Sequence, residues 1–270
     1  MLKIKRPLIL DNISVINENF MTLVENARLE DDETENVCVD GIVLSKEDIS
    51  SISFNQVKFK NCEFVDCDFE KASFVNVIFE KCDFSNSNFE NSYFSCCEII
   101  SSKWIGARFV NSSIKDFTVN ESNFNFAILD KANLRHIRFS NTTLNNANIT
   151  ESALKDVELE DVELVNANFF KTSLKGIDFT KSQIGGISMS NNFAELKGAI
   201  VNPFQASELA KLLGVIIKWY KKLKQGINLA FIFLLQKLLH TLFQIVQYFS
   251  SISIGFYFFP YFFNNSVFVY

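Results

Sequence analysis

The side chains best suited to chemistry are few in this sequence, and their spacing argues against a catalytic centre. His136 and His240 are its two histidines. Either could serve as a general base or metal ligand, but neither comes with a metal-ligand or Cys/His constellation in the sequence. The six cysteines form no CxxC pair. Cys62, Cys67, Cys82 and Cys97 fall where Ala, Ser and Val stand in neighbouring segments, so they read as small core residues carrying reduced thiols. Gly185 and Gly186 lack the flanking pattern of a phosphate-binding loop. No enzyme, cofactor or metal is expected. The remaining chemistry is charge on a surface, carried by carboxylates such as Glu80, Glu98, Glu121, Glu158, Glu160, Asp161 and Asp178.

What positions that charge is a period of five. Residues 64–84 read FVDCDFEKASFVNVIFEKCDF, and neither a strand, with period 2, nor a helix, with period 3.6, keeps every fifth residue on one face. Starting with Phe54, Phe59, Phe64, Phe69, Phe74, Phe79, Phe84, Phe89 and Phe94, every fifth residue as far as Met189 is apolar. Two residues before each of these, from Cys62 to Ile187, no charge occurs. Inward side chains two apart describe a short extended step, and the three residues that follow must turn the chain. Such steps build coils that stack as a solenoid, with the phenylalanines as an aromatic spine.

The motif, as in ANLRH (132–136) and ANFFK (167–171), resembles that of the pentapeptide-repeat family. The resemblance implies an all-β solenoid, a right-handed quadrilateral β-helix with four pentapeptides per coil and a short C-terminal α-helix. About seven coils at ~4.8 Å each give a rod of roughly 34 Å, near one turn of duplex DNA. Four segments are expected: an N-terminal cap (1–51), the β-helix (52–201), a C-terminal capping or dimerisation helix (202–225) and a hydrophobic tail (226–270). In the cap, VCVDGIVL (37–44) reads as strand with a turn at Asp40 and Gly41, and EDDETE (30–35) as a solvated loop or a partner-binding tail. Leu44 and Ile49 anticipate the register. The step lengthens to seven between Met189 and Leu196, then returns to five at Val201.

Residues twenty apart should share a face. The seven carboxylates named above gather on one face, among Lys58, Lys60, Lys81, Arg138 and Lys181. A second face carries Lys115, Arg135, Lys155 and Lys175, with Asp116 and Asp156 beside two of them. One reading is a solvated surface of screened, locally paired charge. The other is an acidic stripe that imitates duplex DNA. The chain holds 31 acidic and 26 basic residues, and beyond residue 201 only Glu208 stands against a set of lysines. An acidic body is a poor ligand for nucleic acid, so direct nucleic-acid binding is not expected.

After the rod comes LKGAIVNPFQASELAKLLGVIIK (196–218). Its skeleton of Leu196, Lys197, Gly198, Ala199, Val201, Pro203, Gln205, Ala206, Leu209, Ala210, Leu212, Leu213 and Gly214 resembles the C-terminal signature of the quinolone-resistance (Qnr-type) pentapeptide proteins. Asn202 can cap a helix with Pro203 at its first position. Leu209, Leu212, Leu213, Ile216, Ile217 and Tyr220 make an apolar stripe at helical spacing, suited to covering the last coil or to a dimer contact. The resemblance implies a head-to-head homodimer that binds type II topoisomerase, namely DNA gyrase and topoisomerase IV, as a DNA mimic and protects it from quinolones. Residues 54–189 contain no insertion, as in the members that lack projecting loops.

The tail departs from the family pattern. No charged residue follows Lys237, and residues 241–259 could span a membrane, with Lys218, Lys221, Lys222 and Lys224 on the cytoplasmic side. Gln236, Gln244, Gln247 and Pro260 make that span mediocre, and the Phe-, Ile- and Asn-rich composition suits a frameshift or read-through extension. The expected location is cytoplasmic, with a membrane anchor as the alternative.

Overall fold

The computed structural model describes residues 2–10, 13–218 and 238. The chain divides into a unit Met1–Glu208 and a second unit Leu209–Tyr270.

In the first unit the period of five becomes a stack of four-edged coils. Edges such as Ser53–Asn55, Lys58–Lys60 and Glu63–Val65 are three-residue strands. Between them Gln56, Asn61 and Asp66 turn the chain with φ of 55°, 52° and 57°. Left-handed backbone costs a non-glycine residue about 1–2 kcal/mol, least for Asn and Asp, which occupy many of these corners. The corner amides offset part of that cost by donating to the next coil, as in Asn61 N to Glu80 O (2.9 Å) and Asp66 N to Ser85 O (3.0 Å).

Each edge pairs in parallel with the edge twenty residues later. Phe54 stands opposite Phe74, Phe74 opposite Phe94, and the ladder continues through Ile114, Leu134 and Leu154. In Tyr93–Ile100, Ser113–Asn120, Asn133–Ser140 and Ala153–Glu160 two adjacent edges run on as one eight-residue strand, bent at Cys96, Asp116, His136 and Asp156 respectively. The structure is the quadrilateral β-helix expected from the sequence, with about seven turns.

The aromatic spine resolves into four columns. Within a column the rings stack: Phe69 on Phe89 (4.9 Å between centroids), Phe89 on Phe109 (5.2 Å), Phe74 on Phe94 (4.6 Å) and Phe84 on Trp104 (4.4 Å). Residues five apart meet mostly edge-on, as Phe59 and Phe64 do at 88°. Beyond Phe109 the columns turn largely aliphatic, and a small apolar void of about 30 Å³ lies among Leu129, Leu134, Phe139 and Leu144. The second inward position holds thiols and hydroxyls that bond to the neighbouring coil. Ser87 Oγ donates to Phe64 O (2.6 Å), and Ser102 Oγ accepts from Cys82 N (3.0 Å).

The solenoid starts earlier than residue 52. Thr34 pairs with Phe54 and Val39 with Phe59, because Thr34, Val39, Leu44 and Ile49 already occupy the inward register. Segment 30–35, read as a loop or tail, is instead the end of a helix, a left-handed turn at Asp31 and the strand Thr34–Glu35. The cap consists of strand Ser14–Ile16, paired with Val37–Asp40, and helix α1 (Phe20–Glu30). Phe20 is 2% exposed, with its ring 6.4 Å from Phe54, 6.2 Å from Phe59 and 5.3 Å from Phe64, so it closes the aromatic core.

At the other end the seven-residue step is accommodated by a 3-10 turn, Ala194–Leu196, and Asp178 pairs with Ile200 instead of a residue twenty positions on. Helix α2 (Pro203–Leu212) follows. Asn202 Oδ1 accepts from Gln205 N (3.0 Å) and Gln205 Oε1 accepts from Asn202 N (2.8 Å), a reciprocal cap at the expected position. Gln205 Nε2 also donates to Phe179 O and Ser182 O, both at 2.7 Å, which fixes the helix start to the last coil.

The helix is shorter than the 202–225 read from the sequence. Gly214, at φ 75°, ends it in a turn where Val215 N donates to Ala210 O (3.2 Å) and Gly214 N to Lys211 O (2.9 Å). Ile216 and Ile217 therefore lie beyond the helix, and the six-residue stripe is not one helical face. Tyr220 and the hydrophobic tail expected at 226–270 lie outside the described residues, apart from Leu238. Among the described residues no helix is long and apolar enough to cross a membrane.

Candidate partner-binding faces

The ladder brings the predicted carboxylates onto one edge and its following corner. Glu98 and Glu158 lie in the column of Lys58, Ile78, Thr118 and Arg138, which ends there, whereas Asp178 pairs with Ile200. Glu80 and Glu160 lie in that of Lys60, Ile100, Asn120 and Ser140. Glu121 and Asp161 are corner residues with left-handed backbone. Stacking also neutralises much of this charge. Lys58 Nζ lies 2.6 Å from Glu80, Arg138 bonds Glu158 at 2.8 Å, and Lys181 lies 3.0 Å from Glu160. The edge is a mixed-charge surface more than an acidic stripe.

A feature not anticipated from the sequence crosses this edge. Leu2 N donates to Glu158 Oε1, Arg138 Nη2 donates to Leu2 O (2.9 Å), and Leu8 N donates to Asn76 Oδ1 (3.3 Å). Residues 2–10 thus run along the stack. Leu2, Ile4, Pro7 and Ile9 are half-buried, whereas Lys3, Lys5 and Arg6 are exposed. Burial works to raise the Glu158 carboxyl, but the Leu2 amide and the Arg138 guanidinium outweigh it and hold the group below the usual carboxylate range. The only sequence signal was the alternation of apolar and basic residues in LKIKRPLIL.

The second predicted face is in register: Lys115 stands opposite Arg135 and Arg135 opposite Lys155, with Lys175 one coil further on, all exposed. At the adjoining corner His136 lies between two carboxylates, Nδ1 3.2 Å from buried Asp116 and Nε2 3.5 Å from Asp156. Among the described residues no cluster of His, Cys, Asp and Glu is arranged to hold a metal.

The six thiols are free, and all but Cys96 are buried. Burial pushes the Cys97 thiol up to about 12 and also raises Cys67. Cys82 is raised by its contact with Cys62 together with burial. These are core groups. Near the end of the solenoid, Phe204 is 75% and Ile200 48% exposed; in the second unit Leu209 is buried, whereas Leu212 is 42% and Ile216 82% exposed.

The family pattern described as a pentapeptide repeat region matches residues 47–124 and 103–169. No curated protein sequence matches at a significant level. Full-length QnrB1, described as a plasmid-mediated fluoroquinolone resistance protein, shares 19% identity over 75% of this chain and 95% of its own, with a TM-score of 0.40. A trypsin-treated variant of it shares 20% over 67% and 92%, with a TM-score of 0.43. HetL of Nostoc sp. strain PCC 7120, involved in heterocyst differentiation regulation, shares 12% over 68% and 92%, with a TM-score of 0.29. The coils spanning residues 47–169 thus carry the pattern of the pentapeptide-repeat family.

Proposed function

We propose that this protein is a non-enzymatic, cytoplasmic docking protein that binds type II topoisomerase, DNA gyrase and topoisomerase IV, as a homodimer and protects it from quinolones or related poisons. The observation that carries this reading is the 196–214 segment. Its skeleton resembles the Qnr-type signature, and several of those residues have a specific task here. Gln205 caps α2 and bonds two carbonyls of the last coil, and Gly214 terminates the helix. In the second unit the exposed apolar side chains Leu212 and Ile216 are available to a second copy.

The ion pairs along the carboxylate edge favour a second reading, a scaffold that grips another partner by shape and mixed charge. One experiment separates the two: gyrase supercoiling in the presence of a quinolone, titrated with the purified full chain. Rescue below the concentration that inhibits gyrase alone supports protection. Folded protein that neither rescues nor inhibits overturns it in favour of the scaffold.

A further inference from the structure

The edge that carries Glu98, Arg138 and Glu158 already has an occupant, the chain's own residues 2–10. Three features show that this segment is laid along the stack and is not woven into it. From Leu2 to Leu8 is six residue steps, or ~20 Å at ~3.3 Å each, and the path from Glu158 back to Asn76 is about four coils, or ~19 Å at ~4.8 Å each. The segment is therefore fully extended along the coil axis. Pro7 supports that conformation by restricting Arg6 to extended backbone. Finally, the segment is held by hydrogen bonds at Leu2 N, Leu2 O and Leu8 N and joins no β-ladder.

The surface beneath suits such an occupant. Ile78 and Ile100 alternate with inward Phe79 and Ile99, so they point outward, and both are half-buried. Charges flank them: Lys58 and Glu80 toward one end, Arg138 and Glu158 toward the other. The occupant matches, with Leu2, Ile4, Pro7 and Ile9 half-buried and Lys3, Lys5 and Arg6 exposed. Arg138 and Glu158 together read both backbone polar groups of one residue, the guanidinium donating to the carbonyl of Leu2 and the carboxylate accepting from its amide.

We propose that this edge is a docking track for an extended polypeptide segment with apolar residues at about every second position and basic residues between them, and that residues 2–10 occupy it as an internal competitor. A protein partner that docks there must displace the strap, so binding is autoinhibited. The proposal deepens the topoisomerase reading by naming where a partner segment would lie, and depends on that reading only for the partner's identity.

The test uses the full chain and a labelled synthetic peptide of residues 2–10, followed by fluorescence anisotropy. The strap is released in the variant Ile4→Asp/Ile9→Asp, which leaves the track intact. Apparent affinity scales with the fraction of molecules whose track is open, so the released variant should bind the peptide at least tenfold more tightly than the wild type. Adding Arg138→Met and Glu158→Gln to the released variant should weaken binding at least fivefold, with the β-sheet circular dichroism unchanged. Equal peptide binding by wild type and released variant, or none by the released variant, overturns the proposal. If the peptide behaves as expected and gyrase is indifferent to both proteins, the track stands and the topoisomerase reading falls.

Discussion

Phe89 sits in the middle of a column, stacked on Phe69 at 4.9 Å and on Phe109 at 5.2 Å, with both neighbours nearly coplanar to it. The same column carries Leu129 three coils below Phe69, so leucine is compatible with its geometry. Phe89→Leu removes two stacked contacts of about 0.5–1.5 kcal/mol each. A further loss of about 1 kcal/mol comes from the smaller apolar side chain and the space it leaves. The expected destabilisation is about 2–4 kcal/mol. Phe69→Leu loses one stacked contact within the column and should cost about 1.5–2.5 kcal/mol by the same reasoning. Urea denaturation followed by far-UV circular dichroism reads both, as a midpoint shift on the order of 1 M for Phe89→Leu. The double mutant decides the physics. If stacking contributes beyond buried area, the double mutant is less destabilised than the sum of the singles by about 0.5–1.5 kcal/mol. Strict additivity would show that the columns are held by area alone, and would refute the claim that coplanar stacking matters.

Other consequences can be measured directly. Only Cys96, half-exposed at its corner, should react rapidly with a thiol reagent at pH 8, and the other five should react on unfolding. Because Cys97 is raised to about 12 from 9.0, its folded form retains a proton that the unfolded chain loses; stability should therefore fall as pH rises from 9 toward 12. Phe126 holds φ 61° while 57% exposed, and Phe126→Asn should stabilise by about 0.5–1 kcal/mol, read as a higher Tm. Trp104 Nε1 is buried without a hydrogen-bond partner, so Trp104→Phe trades lost area for relief of an unpaired donor worth about 1–3 kcal/mol. Its net cost should be below that of Phe89→Leu, and a larger loss in the same urea assay would contradict this. Glu195 is buried; burial raises its carboxyl, but the Ser190 hydroxyl and the Lys171 and Ser190 amides outweigh that and lower it. Its stabilisation is present above the ordinary value of 4.5 and lost as pH falls, and Glu195→Gln should flatten that acid limb.

The coils were legible because a solenoid forces every fifth side chain inward, and from Phe54 to Met189 those side chains are all apolar. The first turn was hidden because Thr34 is polar at an inward position, although it is only 3% exposed. Phe20 closes the core from a helix, off the five-residue register, so no period could point to it. Gly214 was a readable stop for α2, since a glycine just past a helical stripe commonly supplies the left-handed turn. Twenty-residue spacing puts Glu80, Glu98, Glu158 and Glu160 in register, but their pairing with Lys58, Arg138 and Lys181 depends on side-chain reach across coils. The strap along that edge shows only a short alternation of apolar and basic residues, and its placement rests on three long-range contacts.

The change in the core from stacked rings to aliphatic side chains beyond Phe109 gives the solenoid a direction in time. During synthesis the N-terminal coils leave the ribosome first, and they hold the closest ring contacts, among them Phe74–Phe94 at 4.6 Å and Phe84–Trp104 at 4.4 Å. A repeat array grows by adding each unit to a finished neighbour. The aromatic end is thus a seed on which the leucine-lined coils are templated, and the last coils should be the first to exchange their amide hydrogens when the protein opens.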